Sequence, residues 1–204
     1  MTRGWTEHSG RALELAMENV DTDQIIPARF MSTPRSEGYA KYLFHDLRRD
    51  ADGALLSTFP LNDHADATIL ITQRNFGTGS SREAAVYALA DAGFRVIIAP
   101  SFGDIFAGNA VNNGVLPATV NEADIDALTA SMAGQNADLI VSLETLTISC
   151  NSVRVPFALS DTWSLKLKNG WDDIDLTLQH TPEIQRFKEA RREERPWAWP
   201  DVAR

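Results

Sequence analysis

The feature that most constrains this chain is an apolar run that ends in a glycine-rich turn and restarts as a second apolar run one helix later. Ala67-Thr68-Ile69-Leu70-Ile71-Thr72 has the length and β-branched content of a buried strand. Gly77-Thr78-Gly79-Ser80-Ser81-Arg82-Glu83 follows it. Residues 81–92 then place Ala85, Ala88, Leu89 and Ala92 on one helical face, and Gly93 ends the pattern. Arg95-Val96-Ile97-Ile98-Ala99 is the next strand. Two strands joined through a helix lie parallel with a right-handed crossover. The class is therefore α/β, with a parallel βαβ core.

The flanks are read around that core. Residues 10–18 set Leu13, Leu15 and Met17 at period two, a strand. Asp21-Thr22-Asp23-Gln24 breaks it, and Ile25-Ile26-Pro27 leads away. Residues 30–64 are punctuated by Pro34, Gly38, Gly53 and Pro60, and so long an irregular segment is functional or disordered. A short helix is expected over 103–111, stopped by Asn112-Asn113-Gly114, then a strand or turn at 115–118 and a helix at 122–133 capped by Asn121. Residues 138–148 and 152–159 alternate as a hairpin around Cys150-Asn151. Helices at 160–169 and 181–194 follow, and the prolines of Arg195-Pro196-Trp197-Ala198-Trp199-Pro200 disfavour regular structure there. The expected fold is a mixed sheet around the parallel core, with residues 1–160 as the main domain and 161–204 as a C-terminal helical extension.

Composition narrows the function. The net charge is -9 and no basic run exceeds two residues; Arg191-Arg192 runs straight into Glu193-Glu194, so no basic patch marks a nucleic-acid surface. No apolar stretch is long enough for a membrane span, and the N-terminus lacks a signal-peptide core. The single cysteine, Cys150, permits no intrachain disulfide, which fits a reducing cytoplasm. One thiolate also cannot hold an iron–sulfur cluster. His8, His45, His64 and His180 are scattered without metal-ligand spacing, so no metal site is expected in this chain.

The chemistry concentrates on the turn. Its glycines let backbone approach a ligand, and a following helix start favours an anion. Arg82 can grip a carboxylate or phosphate with two parallel hydrogen bonds. Ser80 and Ser81 set hydroxyls beside that charge, where an alkoxide or proton shuttle is favoured. A plainer reading competes: Ser80-x-x-Glu83 has the spacing of a capping box, in which the pair only closes the helix end. The spacing matches neither a P-loop nor a dinucleotide fingerprint. The residues alone support an anion site with a reactive-looking serine and leave capping open.

Asn75-Phe76-Gly77-Thr78-Gly79-Ser80-Ser81-Arg82-Glu83 resembles the signature of the aconitase superfamily's swivelling domain. Asp21-Thr22-Asp23-Gln24-Ile25-Ile26-Pro27, Ser101-Phe102-Gly103-Asp104-Ile105-Phe106 and Asn112-Asn113-Gly114-Val115-Leu116-Pro117 are similar to its other landmarks, in the same order. The stretch from Gly38 through Leu43-Phe44-His45-Asp46-Leu47-Arg48 and the Arg195-Pro196-Trp197 tail resemble the 3-isopropylmalate dehydratase small subunits. The resemblance implies a swivelling β/β/α fold. It also implies a partner, a large subunit whose [4Fe–4S] cluster binds a 2-hydroxy acid substrate while this chain supplies the base. Carried over by position, Ser80 is the base and Arg82 binds a substrate carboxylate. Ser81 and Gly79 support the anion site, and Asp23 is the acidic residue of the closed site. Thr78 and Ala84 depart from the family, which usually has Cys and His there; altered substrate, such as a methylmalate or homoaconitate type, or a non-catalytic subunit are the alternatives this opens.

Within residues 28–45 the resemblance implies a loop that reads the substrate side chain, with Arg29 or Arg35 facing it and Phe30, Tyr42 and Leu43 meeting an isopropyl group. Each arginine alone reads better as a solvated surface charge. Trp197 and Trp199 mark either an interface or packing on the chain's own core.

Overall fold

The computed structural model describes residues 4–132 and 137–199; Ala133, the last residue of the expected 122–133 helix, and Pro200 of the tail fall outside them. The chain divides into two compact units, Met1–Trp171 and Asp172–Arg204.

The first unit is built on a seven-stranded mixed sheet ordered β4-β3-β2-β1-β5-β6-β7. Its strands are β1 (Glu7–Leu15), β2 (Ile69–Thr72), β3 (Val96–Ala99), β4 (Leu116–Thr119), β5 (Asp138–Ser142), β6 (Thr147–Cys150) and β7 (Val153–Pro156). β1 to β4 run parallel, in the register Leu13–Leu70, Leu70–Ile97 and Ile97–Pro117. Pro117, which has no N–H to offer a ladder, sits in the strand at that edge of the sheet. β5, β6 and β7 continue antiparallel from β1. The sheet curls until its two edges touch: Ala158 N–H donates to the Thr119 carbonyl at 2.9 Å, just past β7 and at the end of β4. Each edge thereby loses part of its open hydrogen-bonding row.

Both faces are buried, as parallel strands require. On one face Leu13, Leu15, Leu70 and Ile97 pack with Leu43, Phe44, Leu61 of the short α2 (Pro60–Asp63) and the α3 (Ala84–Asp91) residues Ala85, Ala88 and Leu89. On the other, Ala12, Ile69, Ile71, Val96 and Ile98 pack with Ile125 and Leu128 of α5 (Glu122–Ser131) and with Leu139, Val141, Ile148 and Val155. Each buried Val, Leu or Ile among them is worth about 1.5–3 kcal/mol of transfer free energy. The lone Cys150 lies in this second cluster, buried.

Several boundaries differ from the sequence expectation. β1 begins at Glu7 rather than residue 10, because its polar residues Glu7–Arg11 pair with β5 instead of burying a face. It ends at Leu15, where Met17 turns back to donate to the Leu15 carbonyl at 2.7 Å. The expected strand 138–148 breaks into β5 and β6 around Leu146, whose φ is +52°, so the hairpin becomes a three-stranded meander. α6 (Asp161–Asn169), read from the sequence as part of the extension, lies in the first unit, where Trp5 N–H donates to the Leu167 carbonyl at 3.1 Å and Lys166 reaches Asn112.

The second unit holds α7 (Asp173–Leu178), closed by an Asp172/Asp175 capping box, and α8 (Thr181–Glu194), which opens on Pro182. A single 3-10 turn over Pro196–Ala198 follows. Ile174, Phe187 and Trp197 are 69%, 65% and 78% exposed, so this unit holds its apolar side chains outward.

Candidate functional site

The site forms where β1, β2 and β3 end. That is where ligands bind in open parallel sheets. Three loops leave these strand ends and are tied together by backbone. Gly77 N–H donates to the Val20 carbonyl at 2.7 Å, and Thr22 N–H to the Thr78 carbonyl at 3.0 Å. Phe76 N–H donates to the Ser101 carbonyl at 3.1 Å, and Gly103 N–H to the Phe76 carbonyl at 2.9 Å. Asn75, at φ +60°, adds an N–H bond to Ser101 Oγ at 2.9 Å.

Two glycines are required by this lacing. Gly77 has φ +75°, and a Cβ there would lie 2.2 Å from the Phe106 ring. A Cβ on Gly103 would meet the Gly77 carbonyl oxygen at 2.7 Å. Phe106 itself packs edge-on against Phe76, centroids 5.4 Å apart. Close backbone contact therefore forms the floor of a cleft of about 530 Å³ lined by Gly77–Ser81 and by Gly103, Asp104, Ile105 and Phe106 of the loop and first turn of α4 (Asp104–Asn112).

Ser80 lines this cleft. Its Oγ lies 2.6 Å from Thr22 Oγ1 and accepts from Arg82 N–H at 3.4 Å. Arg82 is ion-paired with Asp23, next to Thr22. Asp21 is occupied as the cap of α1 (Thr22–Ile25): Gln24 N–H donates to Asp21 Oδ1 at 2.8 Å, and Asp21 N–H donates back to Gln24 Oε1 at 2.9 Å. The two aspartates that flank Thr22 thus separate into a cap and an arginine partner. The sequence-based helix start at 81 moves to Ala84. The capping box expected from Ser80 and Glu83 does not form, since Glu83 accepts from Asn113 Nδ2 at 2.8 Å instead. Amides at this helix start are engaged locally, with Ala85 N–H on the Arg82 carbonyl and Val86 N–H on that of Glu83. Arg82 meets Ser80 through its backbone N–H, while its side chain is engaged by Asp23.

Ser80, Ser81 and Gly79 line the cleft; Arg82 and Asp23 pair with each other and are not among its lining residues. Arg29 and Arg35 do not join them. Arg29 donates to Asp46 Oδ2 at 2.8 Å and covers the Phe30 ring at 4.5 Å. Its hydrogen bond, with a second from His45, holds the Asp46 carboxyl well below the usual carboxylate range, at about 2. Arg35 pairs with Asp91 at 2.9 Å, at the far end of α3 from the turn, and lies over the Tyr87 ring at 3.6 Å. Phe30 and Tyr42 stack on each other, centroids 4.3 Å apart, while Leu43 is buried. Thr22, which meets Ser80, was not among the sequence candidates; its position beside the aspartates carried the only signal in the sequence. Among the described residues no group of three or more His, Cys, Asp or Glu could hold a metal ion, and no helix is long and apolar enough to cross a membrane.

Comparison with known proteins follows the same outline. The aconitase C-terminal domain model matches residues 2–123, and the model for the C-terminal domain of the 3-isopropylmalate dehydratase small subunit matches residues 173–200. The 3-isopropylmalate dehydratase small subunit of Shouchella clausii is 43% identical over 183 residues, covering 89% of this chain and 93% of its own. The chain belongs to the 3-isopropylmalate dehydratase small-subunit family of the aconitase superfamily. The Rhodospirillum centenum member of this family is 44% identical over 198 residues, 95% of this chain and 98% of its own. The crystal structure of the 3-isopropylmalate dehydratase from Methanocaldococcus jannaschii has the same fold, with a TM-score of 0.64 at 24% identity over 89% of this chain and 99% of that one. Membership places the chain among the small subunits of hydro-lyases.

Proposed function

We propose that the chain works with a large subunit to interconvert 2- and 3-isopropylmalate by dehydration and rehydration, a cytoplasmic step of leucine biosynthesis, and that it supplies the base, Ser80. The observation that carries this reading is the placement of Ser80: in the lining of a cleft, released from helix capping, and two residues from an arginine. A proton leaves one carbon of the substrate to Ser80 Oγ as the hydroxyl leaves the neighbouring carbon. The resulting unsaturated dicarboxylate takes both back with their positions exchanged.

Arg82 holds one substrate carboxylate through its planar fork, with Asp23 fixing the guanidinium when substrate is absent. Ser81 and the bare backbone of Gly79 give the carboxylate room and a further donor. A [4Fe–4S] cluster on the large subunit would supply the Lewis acid for the substrate hydroxyl. The single buried Cys150 fits no such cluster here. Arg29 and Arg35 organise the 28–46 loop through Asp46 and Asp91, and that loop meets the substrate's alkyl group.

The test is reconstitution with a cluster-bearing large subunit on a panel of 2-hydroxy acids. Turnover of isopropylmalate, lost on Ser80→Ala, is the expected result. Preference for a substrate without the isopropyl group removes the leucine assignment.

A further inference from the structure

We infer that Thr22 is a positioning residue that donates its hydroxyl hydrogen to Ser80 and stabilises the Ser80 alkoxide. The inference rests on the reading of Ser80 as the base.

The geometry settles the direction of the bond. Thr22 is 1% exposed, and its hydroxyl has one hydrogen-bond partner among the described residues, Ser80 Oγ at 2.6 Å. If Ser80 donated, the Thr22 hydrogen would be buried with no acceptor, an arrangement native structures avoid. With Thr22 as donor its buried hydroxyl is satisfied. Ser80 Oγ then receives two hydrogen bonds from the protein, from Thr22 O–H and from Arg82 N–H. Its own hydrogen is left for the cleft.

That arrangement suits a base. Donors fixed on the protein side of an oxygen favour its anionic form, and they need no reorganisation when the charge appears. Proton transfer balances simply: the Ser80 alkoxide takes the substrate's carbon-bound hydrogen and becomes the hydroxyl, and the reverse step returns it. Thr22 keeps its own hydrogen throughout. The donor is held from both ends of its backbone, since Thr22 N–H bonds to the Thr78 carbonyl at 3.0 Å and Ile26 N–H bonds to the Thr22 carbonyl at 3.0 Å. A serine-to-threonine pairing 58 residues apart in sequence is thereby fixed to the same turn that carries the base.

The experiment compares Thr22→Val, Thr22→Ser and Ser80→Ala in the reconstituted two-chain complex. For Thr22→Val, kcat should fall by about 10²–10³-fold, the scale of losing one donor to a developing oxyanion, with KM little changed. The acid limb of kcat/KM should move to higher pH, because the alkoxide has lost a donor. Thr22→Ser, which keeps the hydroxyl, should recover most of the turnover. Equal losses in the Val and Ser variants, or a Val variant with normal kcat and an unmoved acid limb, overturn the inference. If Ser80→Ala is inactive while Thr22→Val is normal, Thr22 alone is refuted; full activity in Ser80→Ala refutes the base. Should Thr22→Val fail to fold, NMR of the wild-type chain decides. An exchange-protected hydroxyl proton correlated with Thr22 Cβ supports the inference, and one found on Ser80 instead, or on neither, overturns it.

Discussion

Asn113 Nδ2 donates to the Glu83 carboxylate at 2.8 Å, drawing it toward the end of α4 and away from the Ser80 amide. A serine that closes a helix has its oxygen committed to the helix's own N–H groups. Ser80 instead precedes α3 by three intervening residues and shares its oxygen with Thr22. Catalysis and capping therefore make different predictions for the same substitution.

Ser80→Ala should cut kcat of the reconstituted enzyme by about 10²–10⁴-fold, the range for loss of a general base. The isolated chain should also lose about 1–3 kcal/mol of stability, because the buried Thr22 hydroxyl loses its acceptor; a serine that only capped the helix would cost about 1 kcal/mol and leave turnover intact. Paired kinetics and thermal melts check both halves; a large loss of stability with normal turnover would falsify the base assignment.

Arg82→Lys should raise KM for the dicarboxylate by roughly tenfold or more, since a point charge does not replace a planar two-pronged grip. Its effect on folding should be small, because the partly exposed Arg82–Asp23 pair is worth about 0–1 kcal/mol. Initial-rate kinetics at fixed ionic strength are the check, and an unchanged KM removes Arg82 from the substrate site.

Gly77→Ala should destabilise the first unit by about 2–4 kcal/mol, adding a left-handed backbone penalty to a side-chain collision. The collision is with the Phe106 ring, 2.2 Å from the added carbon. Urea titration measures the loss. Gly38→Ala is the control: it shares the positive φ, +74°, but has nothing within 4 Å of a Cβ, so it should show the backbone penalty alone.

The Asp46 carboxyl should titrate near pH 2, held there by its hydrogen bonds from Arg29 and His45. Its folded value lies below the unfolded one, so its contribution to loop order is complete above about pH 4 and is lost as pH falls toward 2. Arg29→Ala should return the titration toward the ordinary carboxylate range. Side-chain NMR titration of Asp46 in both chains tests this, and an unshifted midpoint in the variant assigns the depression elsewhere.

Local pattern made the central strands legible: β2, β3 and β4 lie where their apolar runs stand, and Gly93 does end the helical pattern after α3. What escaped was set by partners distant in sequence. The start of α3 shifted because Ser80 and Arg82 are drawn to Thr22 and Asp23, a pull that periodicity cannot register. The helical turn Thr22–Ile25 was read as a break, since four residues are too few to show a period. α7 went unread for a similar reason, being six residues with little apolar patterning. Within the candidate site, the turn's own chemistry singled out Ser80 and Arg82, and motif resemblance added Asp23 and their roles. The Ser80–Thr22 contact could not be, because nothing in a spacing of 58 residues announces that two hydroxyls meet.

That long reach has a kinetic meaning. Backbone bonds Gly77–Val20 and Phe76–Ser101 tie the cleft's floor to segments on either side of it, so each must be brought in from afar before the turn is held. Local structure such as α3 can form early, but contacts between distant segments carry the cost of closing large loops and arrive late. The cleft should accordingly be among the last parts of this chain to acquire native order during refolding. A nascent chain released before residue 103 would lack Phe106 and the Gly103 contact, and with them four of the nine residues that line the cleft. Such a chain could carry the serine motif intact and still have no shaped site to present to its partner.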